Sequence, residues 1–140
     1  MSVSGPIIII EDDLDDQQIL QETLLELGVN NVICFFDNCI DVYQYLLVTH
    51  DKPFLILSDV NLPVMTGSEL KQRINENEEL RKKAIPFIFF TTTANAKAVE
   101  KAYDMMVQGY FEKDSDLKSL KATLGTIIAY WKLCKHPNNM

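Results

Sequence analysis

The chain has 140 residues, 47 % of them hydrophobic and 24 % charged, with a formal net charge of −7. That length suits one domain with a buried core, the composition excludes a disordered chain, and the acidic balance excludes a phosphate-neutralising nucleic-acid binder. Three cysteines without a CxxC pair and only two histidines argue against a zinc framework, and no apolar stretch approaches the ~20 residues that span a membrane.

Ile7, Ile8, Ile9 and Ile10 form a continuous β-branched run, the pattern of a strand buried on both faces. It stops at Glu11, Asp12 and Asp13. Helical spacing of Ile19, Leu20, Leu24 and Leu27 follows, with Gly28 as the stop. Residues 32–36 predict a second strand, and Asn38 is placed to cap a helix carrying Val42, Tyr45 and Leu46. Residues 54–57 predict a third strand that ends in Ser58 and Asp59. A loop with Pro63 and Gly67 leads to a helix over residues 68–77, then to a polar, charged stretch through Lys83. Pro86 opens a fourth strand over residues 87–90, closed by the threonine triplet 91–93. A helix over residues 95–106 puts Ala98, Ala102 and Met106 on one face. A short strand covers residues 109–112. The last helix starts near Asp116 and aligns Leu117, Leu120, Leu124, Ile127 and Trp131.

Strict alternation of strand and helix predicts an α/β domain, a parallel sheet with helices on both faces. One domain is expected over residues 1–140, with its core at about 6–131 and a short C-terminal tail. The N-terminus has no basic segment ahead of its apolar run, so no signal peptide is expected. Unpaired thiols then fit a cytoplasmic protein.

Ligands of open α/β sheets bind at the carboxyl ends of the strands. Here those ends present Glu11, Asp12 and Asp13, then Asp59, Thr91 and Lys113. Clustered carboxylates repel and call for a cation, and an all-oxygen site suits Mg2+. A cation and a lysine neutralise a transferring phosphoryl group, a carboxylate such as Asp59 can be its nucleophile, and a threonine hydroxyl can bond its oxygens. Each residue alone has an ordinary explanation. Acids after a strand favour a helix N-terminus, threonines favour strands, and a single lysine is commonly a surface group. Their joint placement at four strand ends is what carries the functional reading.

The segments IIIIEDD, SDVNLPVMTG, the TTTA after FIFF, and GYFEK resemble the receiver domain of two-component response regulators, over about residues 6–131. The resemblance implies a flavodoxin-like doubly wound sheet of strand order 2-1-3-4-5. It implies that Asp59 is the phosphoacceptor, that Glu11 and Asp12 are the acidic pair with Asp12 a direct Mg2+ ligand, and that Asn61 offers the metal its backbone carbonyl. It makes Thr91 the hydroxyl that senses phosphorylation, Lys113 the phosphoryl-binding lysine and Tyr110 the aromatic switch; Asp13 lies outside the pair. A sensor histidine kinase or a histidine phosphotransfer protein is the implied donor. Two positions depart from the pattern. Asp114 replaces a proline that usually follows the lysine in a cis peptide, and a non-proline cis bond costs about 3–4 kcal/mol, so a different loop shape is expected. Thr92 replaces a smaller residue, which narrows the approach to the phosphoryl group.

A metal-dependent aspartyl phosphatase would need a DxD motif after its first strand, whereas Asp59-Val60-Asn61 follows the third. A flavodoxin-like FMN carrier would need a Ser/Thr/Gly loop where Glu11, Asp12 and Asp13 stand. A degenerate receiver would have lost part of the acid, threonine and lysine set. About 27 residues after Lys113 leave no room for an effector domain of ~50 residues. Output is therefore expected through the receiver's own surface, formed by the helix over residues 95–106, the fifth strand and the last helix. That surface carries Tyr103, Met105, Met106, Val107 and Tyr110, and it is a candidate for a homodimer.

Overall fold

Successive side chains of a strand point to opposite faces of its sheet, so a run of four isoleucines demands cover on both. In the computed structural model, which describes residues 2–137, β1 (Ile7–Ile10) has that cover and all four side chains are buried. The elements that follow are α1 (Leu14–Glu26), β2 (Ile33–Phe36), α2 (Cys39–Val48), β3 (Leu55–Ser58) and α3 (Gly67–Glu76). They continue with α4 (Glu78–Lys82), β4 (Phe87–Thr91), α5 (Ala96–Asp104), β5 (Gly109–Glu112) and α6 (Leu117–Leu133). The strands form one parallel sheet in the order β2-β1-β3-β4-β5, as expected.

Alternation along each strand divides the core in two. Ile8, Ile10, Ile56, Phe87 and Phe89 face α2, α3 and α5, meeting Val42, Leu46, Leu70, Ile74 and Ala102. Ile7, Ile9, Leu57, Ile88 and Phe90 face α1 and α6, meeting Leu20, Leu24, Leu120 and Leu124. Helix starts follow the side chains that satisfy their free amides: Asp13, Asn38, Thr66, Asn95 and Asp116 each accept a backbone N–H. Gly28 ends α1 at φ 74°, a left-handed turn that favours glycine.

Four expectations change. The stretch after α3 contains a further helix, α4. Asn77 ends α3 and its Oδ1 accepts from Leu80 N at 3.1 Å, while buried Leu80 anchors the turn. Five residues with one buried apolar anchor leave no periodicity to read. Second, α5 ends at Asp104, so Met106 leaves the face of Ala98 and Ala102; it adopts φ 64° and is 72 % exposed. Val107, expected on the output surface, is buried in the core beside it. Leu117, in the first turn of α6, is exposed rather than packed. The Lys113–Asp114 peptide is trans. The tail beyond Pro137 lies outside the described residues.

Candidate functional site

Because the strands are parallel, their carboxyl ends lie on one edge. β1 hands over to Glu11, whose N–H donates to Phe36 O at 2.9 Å, and β3 hands over to Asp59, whose N–H donates to Ile10 O at 3.1 Å. Those two ladder bonds bring the acids of neighbouring strands together. Carboxylate oxygens of Glu11, Asp12 and Asp59 all lie within 4.8 Å of one another. Asp13 does something else. Its Oδ1 accepts from Asp15 N and Asp16 N, at 2.9 and 3.1 Å, and so caps α1.

Asp59 is half-buried and its Oδ1 is held twice, by Val60 N at 2.7 Å and by the Thr91 hydroxyl at 2.5 Å. Thr91 is fully buried at the end of β4. On the next strand, the Lys113 N–H donates to Thr91 O at 2.7 Å. The Lys113 ammonium donates to Glu11 Oε1 and lies 3.7 Å from Asp16 Oδ2. It therefore reaches the acidic edge, but pairs with Glu11 rather than with Asp59. Burial pushes the Glu11 carboxyl up, opposed by the Lys113 ammonium.

Asn61 is exposed, and its side chain donates to Thr93 Oγ1 at 2.7 Å. Thr93 N in turn donates to Thr91 Oγ1 at 3.3 Å, and Thr93 O accepts from the Tyr110 hydroxyl. Tyr110 is half-buried with its ring against Phe89, and burial first, then the Asp59 charge, push its phenol up. Thr93 is thus a junction between Asn61, Thr91 and Tyr110. Sequence reasoning gave it no part, although its place two residues after Thr91 was a signal. Nor was the packing role of Gly67 read: a Cβ there would lie 2.5 Å from Phe89 Cε1 and 2.7 Å from Asp59 O. Thr92, the bulkier substitute, points out to solvent.

Three carboxylates make an oxygen-only donor set suited to a hard cation. Octahedral Mg2+ with bonds of about 2.0–2.1 Å would set neighbouring ligand oxygens about 3 Å apart, so the acids, now within 4.8 Å of one another, would have to draw closer around it. No helix among the described residues is long and apolar enough to cross a membrane.

The sequence matches the response regulator receiver domain family over residues 7–125. It is 28 % identical over 130 residues to the response regulator Rcp1 of Synechocystis, covering 89 % of this chain and 87 % of Rcp1. The probable transcriptional regulator ycf29 of Pyropia yezoensis is 32 % identical over 131 residues; the match covers 91 % of this chain but only 54 % of that longer protein. The crystal structure of Mn2+-bound Rcp1 superimposes with TM-score 0.81 at 27 % identity, covering 95 % of this chain and 99 % of that one. The phosphorylated cyanobacterial phytochrome response regulator RcpA gives TM-score 0.85 at 26 % identity, covering 95 % and 98 %. Strand order, the acidic edge and a family match over most of the sequence agree: the chain belongs to the response regulator receiver domain family.

Proposed function

We propose that this receiver takes a phosphoryl group from a phosphohistidine donor onto Asp59, with Mg2+ held by Glu11, Asp12, Asp59 and the Asn61 carbonyl. The carrying observation is the convergence of three carboxylates within 4.8 Å beside the Thr91 hydroxyl and the Lys113 ammonium. A Mn2+-bound relative and a phosphorylated relative of the same fold support it.

Asp59 Oδ1 is occupied by Val60 N and Thr91, which leaves Oδ2 to attack phosphorus. The new O–P bond forms as the donor's N–P bond breaks, and the imidazole nitrogen keeps that electron pair. When bound, the cation supplies positive charge to the phosphoryl oxygens. The protein's own cation is Lys113, which exchanges Glu11 for a phosphoryl oxygen. The Thr91 hydroxyl turns from Asp59 to another. Because Thr93 N rests on Thr91 and Thr93 O on Tyr110, that turn pulls the β4–α5 loop and re-seats the Tyr110 ring. The receiver is thus a signalling phosphoacceptor that catalyses its own phosphorylation and dephosphorylation rather than turnover of a free substrate.

The donor is a sensor histidine kinase or a histidine phosphotransfer protein, and the setting is cytoplasmic, in keeping with three free cysteines. Neither nucleic acid nor membrane is a partner. The output face is α5, β5 and α6, where exposed Tyr103, Met106 and Tyr130 lie, and a second copy of the chain is one candidate partner for it.

Mass spectrometry after incubation with acetyl phosphate and Mg2+ tests the reading. One phosphoryl mass is expected on the native chain and none on Asp59→Asn, with no labelling when the cation is chelated. Equal labelling of both chains would remove Asp59 from the role. Asp12→Ala should weaken Mg2+ binding far more than Asp13→Ala, because Asp13 is already committed to the α1 cap.

A further inference from the structure

Helical spacing on α3 puts Lys71 on the core-facing stripe with Gly67, Leu70 and Ile74. The residue is only 7 % exposed, and among the described residues its ammonium has neither an ion pair nor a hydrogen bond. The Phe87 ring centroid lies 5.9 Å away, at the outer limit of about 6 Å for a cation–π contact. Burial lowers its pKa, with no carboxylate near enough to oppose the effect. A desolvated cation without a counter-ion is an unfavourable arrangement.

The ammonium is not sealed in. Lys71 lines a cavity of about 380 Å3 at the amino-terminal ends of β4 and β5, the sheet edge opposite Asp59. Ile74, Leu80, Ile85, Pro86, Met106 and Trp131 give this cavity apolar walls. Arg81 stands at its rim, with Nη1 donating to Asn75 O at 2.9 Å. Among the described residues no Asp or Glu lines it, although the chain carries 20 of them and a net charge of −7. An apolar chamber of ligand size with convergent polar groups is the usual form of a small-molecule site.

We propose that this cavity binds a small organic anion, a single carboxylate on an apolar body. The carboxylate pairs with Lys71 and is flanked by Arg81, while the body lies against Ile85, Pro86 and Trp131. One buried ammonium matches one negative charge. A bare phosphate dianion would leave its remaining oxygens against hydrocarbon. The phosphoacceptor reading plays no part in this site, so each stands or falls alone.

Trp131 is the single tryptophan of the chain, and its position on the cavity wall makes its fluorescence the reporter. Hexanoate, hexanamide and inorganic phosphate are titrated into the full chain. Hexanoate should give a saturable change; hexanamide should bind about tenfold more weakly or less; phosphate should give none. Lys71→Met, close in volume and apolar, should lose hexanoate binding about tenfold, and exposed Arg81→Gln should lose part of it. Asp59→Asn should bind as the native chain does. In the native chain, the Lys71 ε-carbon resonance should titrate at higher pH with hexanoate present, a reading that stands even if Lys71→Met does not fold. Absence of saturation up to ~10 mM, equal binding of hexanamide, undiminished binding by folded Lys71→Met, or an unmoved Lys71 titration would each overturn the site.

Discussion

A missing side chain fixes the position of Asp59 as much as any bond does. Gly67 lets the start of α3 close onto the Asp59 carbonyl and the Phe89 ring, and a Cβ would meet both below 3 Å. Gly67→Ala therefore forces a shift of one of them. Overpacking of this kind costs about 1–3 kcal/mol, which urea unfolding should register, and phosphorylation of Asp59 should slow beyond what the stability loss explains. A variant with normal labelling would show that the loop gives way elsewhere. Cys39 offers a pH test. Its thiol is fully buried and pushed up to about 12, first by burial and then by the Glu69 charge. In the unfolded chain it ionises near the ordinary 9.0. The folded pKa is the higher one, so its stabilisation is complete below pH 9 and lost as pH rises toward 12. Cys39→Ala should accordingly be destabilised at pH 7, and its deficit against the native chain should narrow above pH 9; a constant gap would mean the native thiol ionises as freely as the unfolded one.

Short elements depend on their ends. Asn77 stops α3 and, through Oδ1, accepts the Leu80 amide that begins α4. Loss of such a cap costs roughly 1 kcal/mol, so Asn77→Ala should lower the melting temperature while Asn77→Asp largely keeps it. An unchanged Asn77→Ala would leave the α4 turn resting on Leu80 alone. These ends also show what a sequence can reveal. The strands and long helices were legible because four or five consecutive apolar residues, or a repeated three-to-four spacing, report burial directly. Glu11, Asp12, Asp59 and Thr91 could be placed at one edge because each stands at the end of such a run, and Lys113 because it follows the short strand Gly-Tyr-Phe-Glu. By contrast, α4 rests on one buried leucine and a cap. The departure of Met106 from its predicted helix depends on a left-handed residue two places past the last turn. The Asn61–Thr93 bond joins positions 32 residues apart, and no local pattern encodes it. The pairing of Lys113 with Glu11 rather than Asp59 is a choice among neighbouring carboxylates that no local spacing decides.

At the scale of the whole molecule, the question is how an event at one sheet edge reaches a surface. β4 and β5 are paired in register from Ile88 and Gly109 to Thr91 and Glu112, so Thr91 and Lys113 sit at the ends of adjacent strands, with Tyr110 on β5 bonded through its hydroxyl to Thr93 O. In the proposed reading, a phosphoryl group on Asp59 would compete for the Thr91 hydroxyl and draw Lys113 from Glu11. Both changes would fall on the β4–α5 and β5–α6 loops, and the bonds of Thr93 to Thr91 and to the Tyr110 hydroxyl would carry the first to Tyr110. Interactions that differ between two states bias their populations, and under the proposed function that bias would fall on the α5–β5–α6 face. Amide exchange with and without a phosphoryl mimic should therefore change protection between residues 95 and 124, with β1 and β2 unaffected. Thr91→Ala and Lys113→Ala should each fold and still expose Asp59, yet show a diminished exchange response, because the messenger groups rather than the acceptor are gone. Large melting losses in either variant would assign those residues to the core instead. Protection changes confined to α1 would place the output away from the β5 edge and remove the α5–β5–α6 face as the route.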